Sequence, residues 1–89
     1  MSHIVKRAGH KETFDPRKIY GSAYAACRNA HLNEIQSEKI ADAVSKAMEN
    51  WVNKKSIVTS EEIFQETARV LKELHEDAAF LYATHRDLA

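Results

Sequence analysis

The sequence predicts a small α+β domain, mainly α, in which four helical runs follow a short β-hairpin. Three observations predict it. Two alternating segments flank a glycine near the N-terminus. Asp15-Pro16, Asn33-x-x-Gln36 and Thr59-x-x-Glu62 each open a run whose apolar residues recur at helical spacing. No Pro-, Gly- or Ser-rich stretch divides the 89 residues, so 1–89 is read as one domain.

Ile4-Val5-Lys6-Arg7 and Lys11-Glu12-Thr13-Phe14 flank Ala8-Gly9-His10, where Gly9 can supply the positive backbone dihedral of a tight hairpin. A two-stranded hairpin is not stable alone in water, so the helices must offer it an apolar surface. Asp15-Pro16 opens the first helix, expected from Pro16 to Ala30. The aspartate accepts from free amides of the first turn, and Pro16 sits where its missing donor costs nothing. Ile19, Ala23, Ala26, Cys27 and Ala30 form its buried stripe, small enough for another element to approach closely.

Asn33 and Gln36 make a capping box for a second helix to about Val52, with Ile40, Val44, Ala47, Met48 and Trp51 facing inward. Lys54-Lys55 follows at the negative end of its dipole. Ser56-Ile57-Val58, short and β-branched, is the candidate third strand beside the hairpin. Thr59 and Glu62 cap a third helix that buries Ile63, Thr67, Val70, Leu71 and Leu74. A break at His75-Glu76-Asp77 precedes a fourth run, Ala78 to Leu88, with Phe80, Leu81 and Thr84 inward.

Composition narrows the function. A net charge of 0 supplies no global basic field, which disfavours direct nucleic-acid binding and an anionic membrane as partner, and makes any anion site local. No run approaches a membrane span and the N-terminus lacks the apolar core of a secretory signal, so the expectation is a cytoplasmic chain with no membrane partner. Cys27 is the single cysteine, read as a small buried thiol with no evident base beside it. The five histidines show no i, i+3 or i, i+4 pair, and no metal site is expected. No ordered nucleophile and base emerges either, so the chain is expected not to be an enzyme and to have no catalytic residues.

One stretch stands apart. Between Ile4 and Ile19 five basic residues (Lys6, Arg7, Lys11, Arg17, Lys18) face two acidic ones, Glu12 and Asp15. On charge alone these are a solvated face. With two glycines in the chain, no glycine-rich phosphate loop can be written, and phosphate affinity would come from side chains. Lys6, Arg7 and Lys18 converging on one spot would repel each other unless an anion filled it.

The order of these residues changes the reading. Val5-Lys6-Arg7-x-Gly9-x-x-Glu12-x-Phe14-Asp15-x-x-Lys18-Ile19 resembles the opening motif of the ATP-cone family, usually Val-Lys-Arg-Asp-Gly, then Glu-x-Phe-Asp, then Lys-Ile. Thr59-Ser60-Glu61-Glu62-Ile63 is similar to the family's Thr-Ser-x-x-Ile helix start. Ala79-Phe80-Leu81-Tyr82-Ala83 with Arg86-Asp87 is similar to its closing helix. Ala8 stands where the family usually has Asp, a turn-favouring side chain.

The resemblance implies a four-helix bundle capped by a small three-stranded β-sheet, binding ATP or dATP, with or without Mg, as a regulatory ligand that is not hydrolysed. Such domains occur at the N-terminus of ribonucleotide reductases and in the bacterial repressor of reductase genes. Carried over by position, Lys6, Arg7 and Lys18 would meet phosphates. Glu12, Asp15, Ile19, Ile4 and Val5 would surround adenine and ribose, and Thr59 would reach base or phosphate through its hydroxyl or amide. The chain carries neither a reductase barrel nor a four-cysteine zinc ribbon, so it is read as a stand-alone or excised domain acting on a protein partner or a second copy of itself. The alternative is a helical protein–protein interaction module that keeps the fold without binding nucleotide.

Overall fold

The computed structural model describes the backbone of residues 4–7 and 10–88 and the side chains of residues 13–85. Its elements are β1 (Ile4–Arg7), β2 (His10–Thr13), α1 (Pro16–Asn29), α2 (Glu34–Asn53), β3 (Ile57–Thr59), α3 (Ser60–Leu74) and α4 (Glu76–Leu88). The turn at Ala8-Gly9, for which a positive dihedral is expected, lies outside the described residues.

Three helices begin at their capping signals. Asp15 accepts from the Arg17 amide ahead of Pro16, while Asn33 with Gln36 and Thr59 with Glu62 form reciprocal capping boxes. The first helix ends in a Schellman turn: the His31 amide donates to Arg28 O at 3.0 Å and the Leu32 amide to Cys27 O at 3.1 Å. His31 occupies the left-handed position, with φ of 70°. That conformation is costly for any side chain and free for glycine. His31→Gly is therefore expected to raise stability by about 0.5–1 kcal/mol, measured by denaturant unfolding; a loss of stability would contradict the assignment.

The four helices form a ring in which α1 packs most extensively on α2, and further contacts join α1 to α4, α3 to α4 and α2 to α3. Ala23, Ala26 and Cys27 of α1 share one core with Ala41, Val44, Met48 and Val52 of α2, Val58 of β3, Ile63 and Leu71 of α3, and Ala78 and Ala79 of α4. Burial pushes the Cys27 thiol pKa up and keeps it protonated. Among the described residues no helix is long and apolar enough to cross a membrane.

The inward face of α2 differs from the expected stripe. Ser37, Ala41, Val44, Ser45, Met48 and Val52 are buried, while Ile40 and Trp51 are half-buried and pack on the core's flank. Because the α1 stripe is small, the helices come close enough for serine and alanine to fill the centre, leaving larger side chains at the edges. Ser37 Oγ has no hydrogen-bond partner there, a cost of about 1–3 kcal/mol for a buried polar group. The phase of α4 also differs. Ala78 and Ala79 turn inward and Phe80 is 70% exposed. The expected break shrinks to His75, whose Nδ1 accepts from the Ala78 amide at 3.1 Å and so caps α4 as α3 ends. Leu74 is left outside, 46% exposed.

The expectation is a four-helix bundle capped by a three-stranded sheet. The strands form a ladder in the order β2-β1-β3, antiparallel between β1 and β2 and parallel between β1 and β3. Its substantial helix contacts are with α3. β3 is the one strand whose side chains are all described, and of these only Val58 is buried. The class is α+β, mainly helical, with a three-stranded ladder.

Candidate functional site

The sequence-marked residues gather where β2 runs into α1 and β3 runs into α3. Thr13, Phe14, Asp15, Lys18 and Ile19 form one wall of a cleft of about 100 Å³, and Ser60 and Ile63 form the other. Two helix N-termini thus border one opening, each presenting amide groups and the positive end of its dipole. Ile19, 7% exposed, supplies an apolar surface and Lys18 an exposed ammonium.

Asp15 is already engaged. Its Oδ1 accepts from the Arg17 amide at 3.0 Å and from Arg17 Nε at 3.1 Å, and its Oδ2 accepts from Arg17 Nη2 at 3.1 Å. The Arg17 side chain, chiefly by hydrogen bonding, holds the Asp15 carboxyl below the usual carboxylate range. Thr59 is partly engaged. Its amide donates to Glu62 Oε1 at 2.9 Å and its Oγ1 accepts from the Glu62 amide at 3.0 Å, leaving the hydroxyl proton as its free donor. Of the two groups expected to serve a ligand, the hydroxyl remains and the amide is spent on the cap.

These caps carry a pH dependence whose sign follows from their shifts. Asp15 and Glu62 both titrate below their ordinary values, Asp15 through Arg17 and Glu62 through the Thr59 amide. Their contribution to stability is complete above the unfolded carboxylate pKa of about 4 and is lost as pH falls through the lower folded values. The melting temperature is expected to fall on acidification below about pH 4, and Glu62→Gln should reduce the slope. A melting temperature flat down to about pH 2 would contradict this.

For the remaining candidates the register gives backbone position. Lys6 in β1 stands opposite Lys11 in β2 and Thr59 in β3, so one rung runs Lys11, Lys6, Thr59. Val5 lies between Glu12 and Val58, Ile4 between Thr13 and Ile57, and Arg7 opposite His10. The side chains of Ile4, Val5, Lys6, Arg7 and Glu12 lie outside the described residues, as do those of Arg86 and Asp87. The structure therefore brings Asp15, Lys18 and Ile19 to one cleft, with Thr59 one residue before Ser60 of its far wall.

Sequence reasoning missed a larger neighbouring cleft. About 470 Å³ opens between α1, α3 and α4, with Ser22 and Ala26 on one side, Phe64 and Tyr82 stacked at 5.2 Å on the other, and His85 at the rim. Ser60 lines both openings and joins them. Helical phase is the one signal that could have found it, placing Ser22 and Ala26 on one face of α1.

Fold and cleft together define a class: a mainly helical α+β module with a short β ladder and an open site at the starts of two helices. The chain belongs to the ATP cone domain family, whose model matches residues 2–87. It is similar to the transcriptional repressor NrdR of Carboxydothermus hydrogenoformans, 32% identical over 81 residues, covering 91% of this chain and 51% of that protein. It is also similar to NrdR of Myxococcus xanthus, 32% identical over 90 residues, covering 97% of this chain and 52% of the relative, and to NrdR of Clostridium novyi at 31%. The chain thus spans about half the length of the curated relatives it matches. No solved structure matches it.

One expectation is overturned by these relatives. Neutral net charge set direct nucleic-acid binding aside, yet the similar proteins are transcriptional repressors. The charge balance of a segment that spans half of such a protein does not bound the field of the whole, and the exclusion falls.

Proposed function

We propose that residues 1–89 act as one noncatalytic regulatory domain that binds ATP or dATP and, through that binding, controls the assembly or activity of a partner linked to ribonucleotide reductase or to expression of its genes. The family match and the repressor relatives support the regulatory reading. The observation that carries the ligand is the rung Lys11, Lys6, Thr59, which ends at the start of α3 beside a cleft that also holds Lys18. Two lysine positions directly opposite each other in a ladder are unfavourable without a counter-charge. A polyphosphate supplies it, and two helix N-termini favour the same sign.

In this reading Lys6, Arg7 and Lys18 take the phosphates, with a Mg ion as optional companion. Ile4, Val5 and Ile19 enclose the adenine, Glu12 and Asp15 accept from the base amine or ribose hydroxyl, and the Thr59 hydroxyl donates. Such a sensor works in the cytoplasm, where free adenine nucleotides are found. Binding is tested by calorimetric titration of the chain with ATP, dATP and GTP against a phosphate control.

A further inference from the structure

Asp15 is an awkward residue in the wall of an anion site. Its carboxylate stands beside Lys18 in a cleft bordered by the starts of α1 and α3, whose amides favour a negative ligand. A bare carboxylate there repels an arriving anion and competes with it for the Lys18 ammonium. The Asp15 side chain is 28% exposed, so water screens that charge incompletely.

Arg17 offsets both effects. Its Nε donates to Oδ1 and its Nη2 to Oδ2, each at 3.1 Å, so the guanidinium meets the carboxylate in a parallel two-bond pair that is neutral as a unit. The Arg17 amide adds a bond to Oδ1 at 3.0 Å, which ties the pair to the first turn of α1. The Arg17 side chain is 89% exposed and takes no part in the cleft wall, so it stands behind the carboxylate and outside the opening. The Asp15 carboxyl is held below the usual carboxylate range by hydrogen bonding from Arg17 and, to a smaller degree, by the charge of Lys18. Lys18 is thus within electrostatic reach of Asp15, yet it forms no ion pair among the described residues. With Arg17 on both carboxylate oxygens, the Lys18 ammonium stays uncommitted, and Oδ2 keeps an acceptor site for a neutral donor.

We propose that Arg17 is a positioning residue for polyphosphate binding: by holding Asp15 in a two-bond pair it cancels the carboxylate's charge at the cleft and leaves Lys18 free for the anion. This role rests on the nucleotide-binding reading and extends it to a side chain that does not itself line the cleft.

Calorimetric titration of the chain with inorganic triphosphate and with ATP tests it, in wild type, Arg17→Gln, Asp15→Asn and the double variant. Arg17→Gln is expected to weaken triphosphate binding about three- to tenfold, the effect of one partly screened charge beside the anion. Asp15→Asn should tighten it, because the repulsion is gone, the guanidinium is released and asparagine still caps the helix. The double variant should return to within about twofold of wild type, since the net charge is restored and Lys18 is again unclaimed. A damaged cap would instead lower the melting temperature of Arg17→Gln and would not be reversed by Asp15→Asn. A double variant as weak as Arg17→Gln overturns the proposal, because Arg17 would then touch the anion directly. So does an Arg17→Gln variant that binds triphosphate like wild type, an Asp15→Asn variant that binds it more weakly, or a wild-type chain that binds ATP but not triphosphate. A wild-type chain that binds neither removes the nucleotide reading and the role of Arg17 with it.

Discussion

Lys6→Ala is expected to weaken ATP binding by roughly ten- to a hundredfold and to leave adenosine binding nearly unchanged, because one charge-assisted contact to phosphate contributes about 1.5–3 kcal/mol. Lys6 holds the central position of the rung that ends at Thr59, between Lys11 and the start of α3. A ligand there would reach the amide-rich start of the helix as well as the ammonium groups. Equal losses for ATP and adenosine would show that the residue serves the base or the fold. Lys18→Ala provides the internal comparison: its side chain is exposed at the cleft, so its removal should change affinity and leave the melting temperature within error.

Leu71→Ala is expected to cost about 2–5 kcal/mol of stability, among the largest effects for a single core truncation in the described residues. Leu71 is fully buried on α3 within the cluster that includes Met48 of α2 and Ala78 of α4, and its carbonyl accepts the His75 amide that ends the helix. The core residues that α1 and α4 add to the same cluster are largely alanine, and short side chains cannot swing in to fill the void. Domains of this size have little stability to spare, so the variant should be partly unfolded near physiological temperature. Denaturant unfolding with a loss below about 1 kcal/mol would contradict the single-core description.

How far the sequence could be read follows from the range of the forces involved. Helix starts were legible because a cap is settled within four residues: Asp15, Asn33 and Thr59 carry their partners at fixed offsets, and the structure begins α1, α2 and α3 there. His75 was not legible as a cap, because an imidazole rarely takes that role and only the geometry reveals its acceptor nitrogen. Helix phase was legible where bulk decides it, as for Ile63 and Leu71, and misread where close approach decides it. Ser37 and Ala41 are buried at the α1–α2 contact while Trp51 covers its edge, and Phe80 faces outward because Ala78 and Ala79 fit against the neighbouring helices.

At the site, spacing alone made Asp15, Lys18 and Ile19 neighbours on the first turns of one helix, and the structure adds Ser60 and Ile63 as the far wall. That wall arrives through the parallel pairing of β1 with β3, a contact between segments some fifty residues apart that no local pattern specifies. The grip of Arg17 on Asp15 was equally hidden, since the sequence offers Asp15 as a cap and leaves the guanidinium free to point anywhere.

The central claim is that this chain binds adenine nucleotide through its polyphosphate. Isothermal calorimetry with ATP, dATP, GTP, adenosine and inorganic triphosphate tests it most directly, with the melting temperature followed at each saturation. The account predicts saturable binding of ATP or dATP that is tighter than that of GTP, adenosine or triphosphate alone, together with a rise in melting temperature. Absence of both heat and thermal shift for ATP and dATP at about 1 mM would contradict it.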